Sequence, residues 1–245
     1  MFEELSRQAN ATLPPELGYI YVNYAWNLNI STTDPVLLVT LNYAGDRQAA
    51  APYADPFKSF NPVSTEEGEV PYDQIAAASG TDVADPLCNG VGVERLLFAS
   101  DLLIYNVSTN RALYDLFKNV TTIHPEYQGS FAIFESYSQQ GVKAVHPDST
   151  AFPNRESNIV FTLAIEYDQN PDFDQRAIAW GEQTRSLMHA GQAPGSNLQV
   201  YVNYAFGSET LESMYGYEPW RLEKLRSLKK EWDVYNKFGF YLPIS

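Results

Sequence analysis

The chain has 245 residues, with 30 acidic against 16 basic side chains and a formal net charge of −14. Such a charge argues against nucleic-acid binding, which requires a cationic face that contacts phosphates. The apolar runs are far shorter than a membrane-spanning helix, and the single cysteine excludes an internal disulfide and a thiolate metal cluster.

The first part of the chain predicts a strand pair followed by irregular structure. Residues 19–24 and 36–43 are rich in β-branched and aromatic side chains and are joined by a turn-rich link, which is typical of paired strands. Residues 45–57 are alanine-rich and predict a helix that its two prolines cut short. The stretch 58–92 is rich in Pro, Gly, Ser and Asp, which favours a long loop over one face.

Strands and helices alternate in the rest of the chain. The stretch 93–105 is apolar and fits either type of element. Periodicity and end signals predict strands and helices as follows: strands over 131–138, 158–167 and 197–207, and helices over 108–120, 172–191 and 218–232, the first of them capped by Ser108. This order predicts an α+β fold, in which helices pack on one face of an antiparallel sheet.

Generic catalytic motifs do not occur in the sequence. Its three histidines, His124, His146 and His189, lie far apart and lack metal-binding spacing, so no metal site is predicted. There is no GxSxG elbow and no complete glycine-rich phosphate loop between a strand and a helix. These absences argue against the common hydrolase, kinase and dehydrogenase classes.

Residues 201–245 carry an ordered set of motifs: Y-x-N-Y, then Y-G, then a helix, and then a D-x-x-N-x-F stretch before a terminal Pro-Ile. The matching residues are Tyr201, Asn203, Tyr204, Tyr215, Gly216, Leu225, Lys229, Asp233, Asn236, Phe238, Pro243 and Ile244. This set resembles the C-terminal berberine-like segment of FAD-linked oxidoreductases of the berberine bridge enzyme type, particularly fungal ones. Val234 stands where that family usually has proline.

The resemblance extends upstream through FESYSQQG, FPNR and NIVFTLAIEY, with Asn154 where relatives often have histidine. It implies a substrate-binding-type domain over 1–200 and a berberine-like segment over 201–245. In the family, this segment is a strand and a helix that return to the FAD domain. The family's antiparallel sheet, covered by helices on one side, forms the roof of the active site, and the flavin lies against its other side.

The resemblance also implies an FAD cofactor, a small-molecule substrate and a separate FAD-binding domain. That domain, with its pyrophosphate loop and flavin-linking histidine, has no counterpart in this sequence, and Cys88 is not assigned a flavin-linking role. Relatives are often secreted, whereas the N-terminus here has no signal-peptide pattern, so the compartment is left open.

Five residues receive roles from the resemblance. Tyr204 would be the general base and Tyr137 would lie near the substrate, while Asn203, Tyr201 and Asn236 would lie on the cofactor side. A phenol titrates near pH 10, so a base at neutral pH would need a nearby cation or hydrogen bond to lower its pKa. Alternation along a strand would place Tyr201 and Asn203 on one face and Tyr204 on the other. The competing interpretation of Tyr137 and Tyr204 is that both are half-buried residues that only pack in the fold.

Two kinds of function are consistent with this resemblance. The first is oxidation of a small alcohol, amine or secondary-metabolite intermediate by hydride transfer to flavin. The alternative is a stand-alone, flavin-free domain that binds and cyclises such an intermediate by positioning it, or an inactive remnant.

Overall fold

The computed structural model describes residues 13–85, 88 and 92–244. Residues 1–12, whose sequence lacks a signal-peptide pattern, lie outside this range. Among the described residues, no helix combines the length and the apolar character that crossing a bilayer requires.

The described strands form a single antiparallel sheet, which confirms the predicted fold class. They are β1 (Leu17–Ala25), β2 (Val36–Tyr43), β3 (Val93–Leu102), β4 (Phe131–Tyr137) and β5 (Ile159–Asp168). Their order across the sheet is β2-β1-β4-β5-β3, and every neighbouring pair is antiparallel. The ambiguous apolar stretch after residue 92 is therefore the edge strand β3.

The three longest of the described helices lie where the sequence predicted helices. The described helices are α1 (Arg47–Lys58), α2 (Ile75–Ala78), α3 (Val107–Ile123), α4 (Gln140–Lys143), α5 (Pro171–Ala190), α6 (Leu211–Tyr215) and α7 (Pro219–Trp232). Helix α3 is capped two residues earlier than predicted, because the Asn106 side chain, and not that of Ser108, accepts from the Thr109 backbone N–H at 3.1 Å.

The hydrophobic core lies between the sheet and the helices α3 and α5. Alternate residues of each strand point into it, among them Val22 of β1, Phe134 of β4 and Phe161 of β5, which are all nearly inaccessible to solvent. Helix α5 approaches the sheet closely at Gly181, where an added Cβ would lie 2.1 Å from the ring of Phe98.

Since side chains alternate along a strand, the residues between the core positions point to the opposite face, which we call the open face. At its β3 end this face is covered by a second apolar cluster, in which Ala99 packs with Val200, Ala205 and Met214.

Two local predictions are wrong. Helix α1 continues through Pro52 and Pro56 to Lys58, because each proline removes only one backbone donor and hydrogen bonds such as Ser59 N–H to Asp55 O (3.0 Å) form around them.

The segment 197–207 is not a strand. It is extended chain that contains a 3₁₀ turn at Val202–Tyr204, and it is held by isolated bonds to two elements: Asp101 N–H to Gln199 O (2.8 Å) and Val200 N–H to Ser213 O (2.9 Å). The stretch predicted as the first strand of the C-terminal segment is therefore a turn, and the predicted domain boundary at 200/201 stays a prediction.

Candidate active site

The open face of the sheet carries a row of aromatic and acidic side chains. Tyr19 and Tyr21 of β1 lie in register with Tyr137 and Glu135 of β4, and all four point away from the helices. Tyr19 and Tyr21 stack with their ring centroids 4.1 Å apart, and the Tyr19 hydroxyl contacts the hydroxyl of Ser79. The irregular region after α1 thus reaches the rim of this face.

Two phenols donate hydrogen bonds to one carboxylate, and a third phenol donates to one of them. Tyr204 donates to Glu135 Oε1 at 2.8 Å, and Tyr137 donates to Glu135 Oε2. Because the single proton of Tyr137 is used in this way, the Tyr21 hydroxyl, 3.0 Å from that of Tyr137, is the donor of the pair. We call Tyr21, Glu135, Tyr137 and Tyr204 the phenol cluster. Its phenol oxygens keep lone pairs that can accept a hydrogen bond from a ligand.

The surroundings of the phenol cluster hold its tyrosines in the protonated form. Burial, reinforced by the adjacent Glu135 carboxylate, raises the pKa of Tyr204 well above the usual value for a phenol. Burial, with the hydrogen bonds to Glu135 and Tyr21, raises the pKa of Tyr137 further still. In the described part of the chain, the groups that shift these two pKa values are phenols and a carboxylate. Among the described residues, no cation is one of the groups that shift the pKa of Tyr204 or Tyr137.

The geometry of Tyr201 and Tyr204 corrects the alternation argument. In the 3₁₀ turn, residues three apart lie on the same side, so the two rings meet edge to face with centroids 5.4 Å apart. The Asn203 amide donates to the Tyr201 hydroxyl at 2.8 Å and is exposed to solvent. Tyr201, Asn203 and Tyr204 therefore form one local group at the edge of the phenol cluster.

Asn236 lies elsewhere. It adopts a left-handed backbone conformation (φ 50°) in the turn after α7 and lines a surface depression together with Lys229 and Asp233. The structure thus brings four of the five candidate residues together on the open face and leaves Asn236 apart from them.

Glu135 is the residue to which the sequence assigned no role. It is only 7% exposed, yet it accepts the hydrogen bonds of two phenols from different parts of the chain. A signal for it existed, because Glu135 and Tyr137 are two positions apart in a predicted strand and so share a face. What the strand pattern could not show is that the turn at Tyr204 meets them there.

The described residues fit the substrate side of a flavin ring, but they do not fit the pyrophosphate of FAD. The phenol cluster offers hydroxyl groups beside an open face, which suits the substrate side of a redox ring. Binding the pyrophosphate of FAD is typically the task of a glycine-rich loop at a helix N-terminus, which this sequence lacks, and the Glu135 carboxylate would repel phosphate. The described chain also contains no group of three or more His, Cys, Asp or Glu placed to hold a metal ion.

The fold is that of berberine bridge enzyme. The structure of the enzyme from Eschscholzia californica matches with a TM-score of 0.70 at 14% identity, covering 99% of this chain and 50% of that one. An identity this low establishes the fold alone.

The chain also has sequence relatives among fungal FAD-linked oxidoreductases. FAD-linked oxidoreductase anuG of Penicillium roqueforti is 36% identical over 245 residues, which is all of this chain and 48% of the relative. FAD-linked oxidoreductase iacH of Pestalotiopsis fici is 34% identical over 250 residues, again all of this chain and 47% of the relative. No family model matches the chain. Over its whole length the chain is therefore similar to fungal FAD-linked oxidoreductases, and it spans about half the length of these relatives.

Proposed function

We propose that this chain is the substrate-side half of an FAD-linked oxidoreductase that oxidises a small alcohol, amine or secondary-metabolite intermediate. The observation that carries the proposal is the convergence of the Tyr204 and Tyr137 hydroxyls on the single carboxylate of Glu135. The names of the relatives support the reaction class, and a variant of berberine bridge enzyme is known in complex with (S)-reticuline, a small molecule.

In this proposal, Tyr204 takes the proton of the substrate without becoming a free phenolate. The substrate hydroxyl or amine donates to the phenol oxygen of Tyr204, whose own proton already points at Glu135 Oε1. As the substrate N–H or O–H bond breaks, its proton passes to Tyr204 and the Tyr204 proton passes to Glu135. The raised pKa of Tyr204 fits this relay, because a neutral phenol that donates to a carboxylate is the resting state the relay requires.

A bound flavin would supply the acceptor for the hydride that leaves the substrate carbon. Tyr201 and the exposed amide of Asn203 would border the flavin ring. Asn236 lies apart from the phenol cluster, so any contact that it makes with the cofactor would be at another place. Tyr137, with Tyr21 behind it, would hold the second oxygen of Glu135 and so fix the direction of the carboxylate.

The test uses a flavin-loaded protein that contains this chain, mixed without oxygen with a panel of small alcohols and amines. Loss of the visible flavin absorption on mixing is expected for at least one substrate class, and Tyr204→Phe should slow it by about 10²–10⁴-fold. Tyr53→Phe is the matched control, since Tyr53 stacks on Tyr43 of β2 outside the phenol cluster. Conversion of substrate with no flavin bound would instead support the cyclising, flavin-free alternative and contradict the proposal.

A further inference from the structure

Asp101 is a buried carboxylate outside the phenol cluster that the proposed reaction does not use. It is the next-to-last residue of β3 and points to the open face, since its neighbours in register are Val160 of β5 and, beyond it, Glu135 of β4. It is 7% exposed. A buried carboxylate is costly unless its oxygens are hydrogen-bonded, so its partners indicate what it does.

The partners of Asp101 belong to two segments that lie outside the sheet. Asn154, in the FPNR connector, donates its amide to Asp101 Oδ2 at 2.6 Å, and the Tyr201 backbone N–H donates to Oδ1 at 3.2 Å. The Asp101 backbone N–H donates to Gln199 O at 2.8 Å. Asp101 therefore forms two hydrogen bonds with the segment 199–201, one through its side chain and one through its backbone N–H.

Tyr201 is in turn bonded to Tyr204. The Tyr201 carbonyl accepts the Tyr204 backbone N–H at 2.9 Å, which closes the 3₁₀ turn, and the rings of these two residues are in edge-to-face contact. Tyr201 is therefore tied to Asp101 through its N–H and to Tyr204 through its carbonyl. An isolated turn of this type is weak, so its place on the sheet depends on what fixes its first residue.

We propose that Asp101 is a positioning residue, which with Asn154 fixes the Tyr201–Tyr204 turn on the sheet and so places the Tyr204 hydroxyl on Glu135. This inference rests on the proposed function for its catalytic meaning, but its structural content can be tested without flavin or substrate. Removing the acceptor at residue 101 releases the Tyr201 N–H, loosens the turn and moves the Tyr204 phenol from the carboxylate.

The experiment follows the Tyr204 phenol directly by NMR in the full chain. Tyrosine carries an isotope label on the ring carbon that bears the hydroxyl, and the Tyr204 signal is identified by its loss in Tyr204→Phe. Asp101→Leu keeps bulk but removes both acceptors, whereas Asp101→Asn keeps an acceptor for the Tyr201 N–H and can still pair with the Asn154 amide after that amide rotates. Ser130→Ala is the control, because it removes a buried acceptor, that of Glu166 N–H at 3.0 Å, elsewhere in the sheet.

In Asp101→Leu, the Tyr204 signal is expected to move towards the position of exposed tyrosines, and amide hydrogen exchange at Tyr201 is expected to become about tenfold faster. Asp101→Asn should restore both, and Ser130→Ala should change neither. A folded Asp101→Leu chain with an unchanged Tyr204 signal overturns the proposal, and so does the same shift in Ser130→Ala.

If Asp101→Leu does not fold, the proposal is tested by measuring amide hydrogen exchange at Tyr201 in the wild type and in Asp101→Asn. Slow exchange in both supports the proposal, and exchange at the rate of an unstructured chain in the wild type overturns it. A flavin-loaded protein that oxidises nothing would contradict the proposed function alone, since none of these signals depends on turnover.

Discussion

The hydroxyl of Tyr204 donates to Glu135 Oε1 across 2.8 Å, although the two residues are 69 positions apart in the chain. The contact joins a 3₁₀ turn of the C-terminal segment to the middle of the sheet. Burial raises the pKa of Tyr204, and the Glu135 carboxylate adds to this rise, because a tyrosine next to a carboxylate holds its proton more tightly.

The first prediction concerns the titration of Tyr204. Its pKa is expected above the usual value near 10, mainly because of burial and then because of the Glu135 charge, and Glu135→Gln is expected to lower it while burial keeps it raised. NMR titration with labelled tyrosine measures it. Glu166→Gln is the control, since Glu166 pairs with Arg95 at 2.5 Å away from the phenol cluster. A Tyr204 that titrates at or below the ordinary value would contradict the account.

The second prediction concerns the pH dependence of stability. Burial raises the pKa of Asp101 to about 7, against 3.8 for the free group, and Glu135 adds to the rise, although the bonds from Asn154 and Tyr201 oppose it. The folded chain thus binds more protons than the unfolded chain between about pH 4 and 7, so this group lowers the free energy of unfolding progressively as the pH rises through that window.

Asp101→Asn removes this titration. Relative to wild type, the variant is expected to gain roughly 2–4 kcal/mol of unfolding free energy between pH 4 and pH 8. Urea denaturation at several pH values measures the difference. Asp115→Asn, an exposed position on α3, should show no comparable trend. The prediction is contradicted if the difference in unfolding free energy between Asp101→Asn and the wild type is the same at pH 4 and at pH 8.

The third prediction concerns the contact between α5 and β3. Gly181→Ala would place a Cβ 2.1 Å from the Phe98 ring and is expected to lower the free energy of unfolding by about 1–3 kcal/mol. Gly141→Ala in α4 is the matched control, because an added Cβ there meets nothing within 4 Å and should leave stability unchanged or slightly higher. Equal effects of the two substitutions, measured by denaturation, would contradict the packing described for the core.

The fourth prediction concerns the buried ion pair that holds the chain just after the Tyr204 turn. The Glu209 side chain is inaccessible, pairs with Arg185 of α5, and accepts the backbone N–H groups of Phe206 at 2.9 Å and Gly207 at 2.7 Å. Glu209→Ala leaves a buried cation with fewer partners and is expected to cost about 3 kcal/mol of unfolding free energy. Glu212→Ala, at an exposed position of α6, should cost less than about 0.5 kcal/mol in the same denaturation assay.

Much of the fold could be predicted because the core obeys simple periodicities. The strands β4 and β5 and the helices α3, α5 and α7 were predicted to within a few residues, since their apolar positions repeat with the period of a strand or a helix. The chain after Asn197 could not be predicted in this way. Its side chains have the composition of a strand, but its backbone bonds are made singly to Asp101 and Ser213, which no local pattern encodes.

The candidate site was predictable in part for the same reason. Strand alternation placed Tyr137 and Glu135 on one face, and the resemblance to the family pointed to Tyr204. That these three meet depends on a long-range contact, and that Tyr201 lies on the side of Tyr204 depends on a turn that looked like a strand. The sequence also could not show that a carboxylate lies beside the Tyr204 phenol, because sequence distance does not reveal which charges are neighbours in the fold.

A double-mutant cycle on flavin reduction tests the central claim most directly. The rate of substrate-dependent flavin reduction is measured without oxygen for the wild type, Tyr204→Phe, Glu135→Gln and the double variant, each loaded with flavin. If the two residues act as one proton relay, each single change slows the step by about 10²–10⁴-fold, and the double variant is little slower than the worse single one. Independent, multiplying losses, or an unchanged rate in Glu135→Gln, would contradict the account.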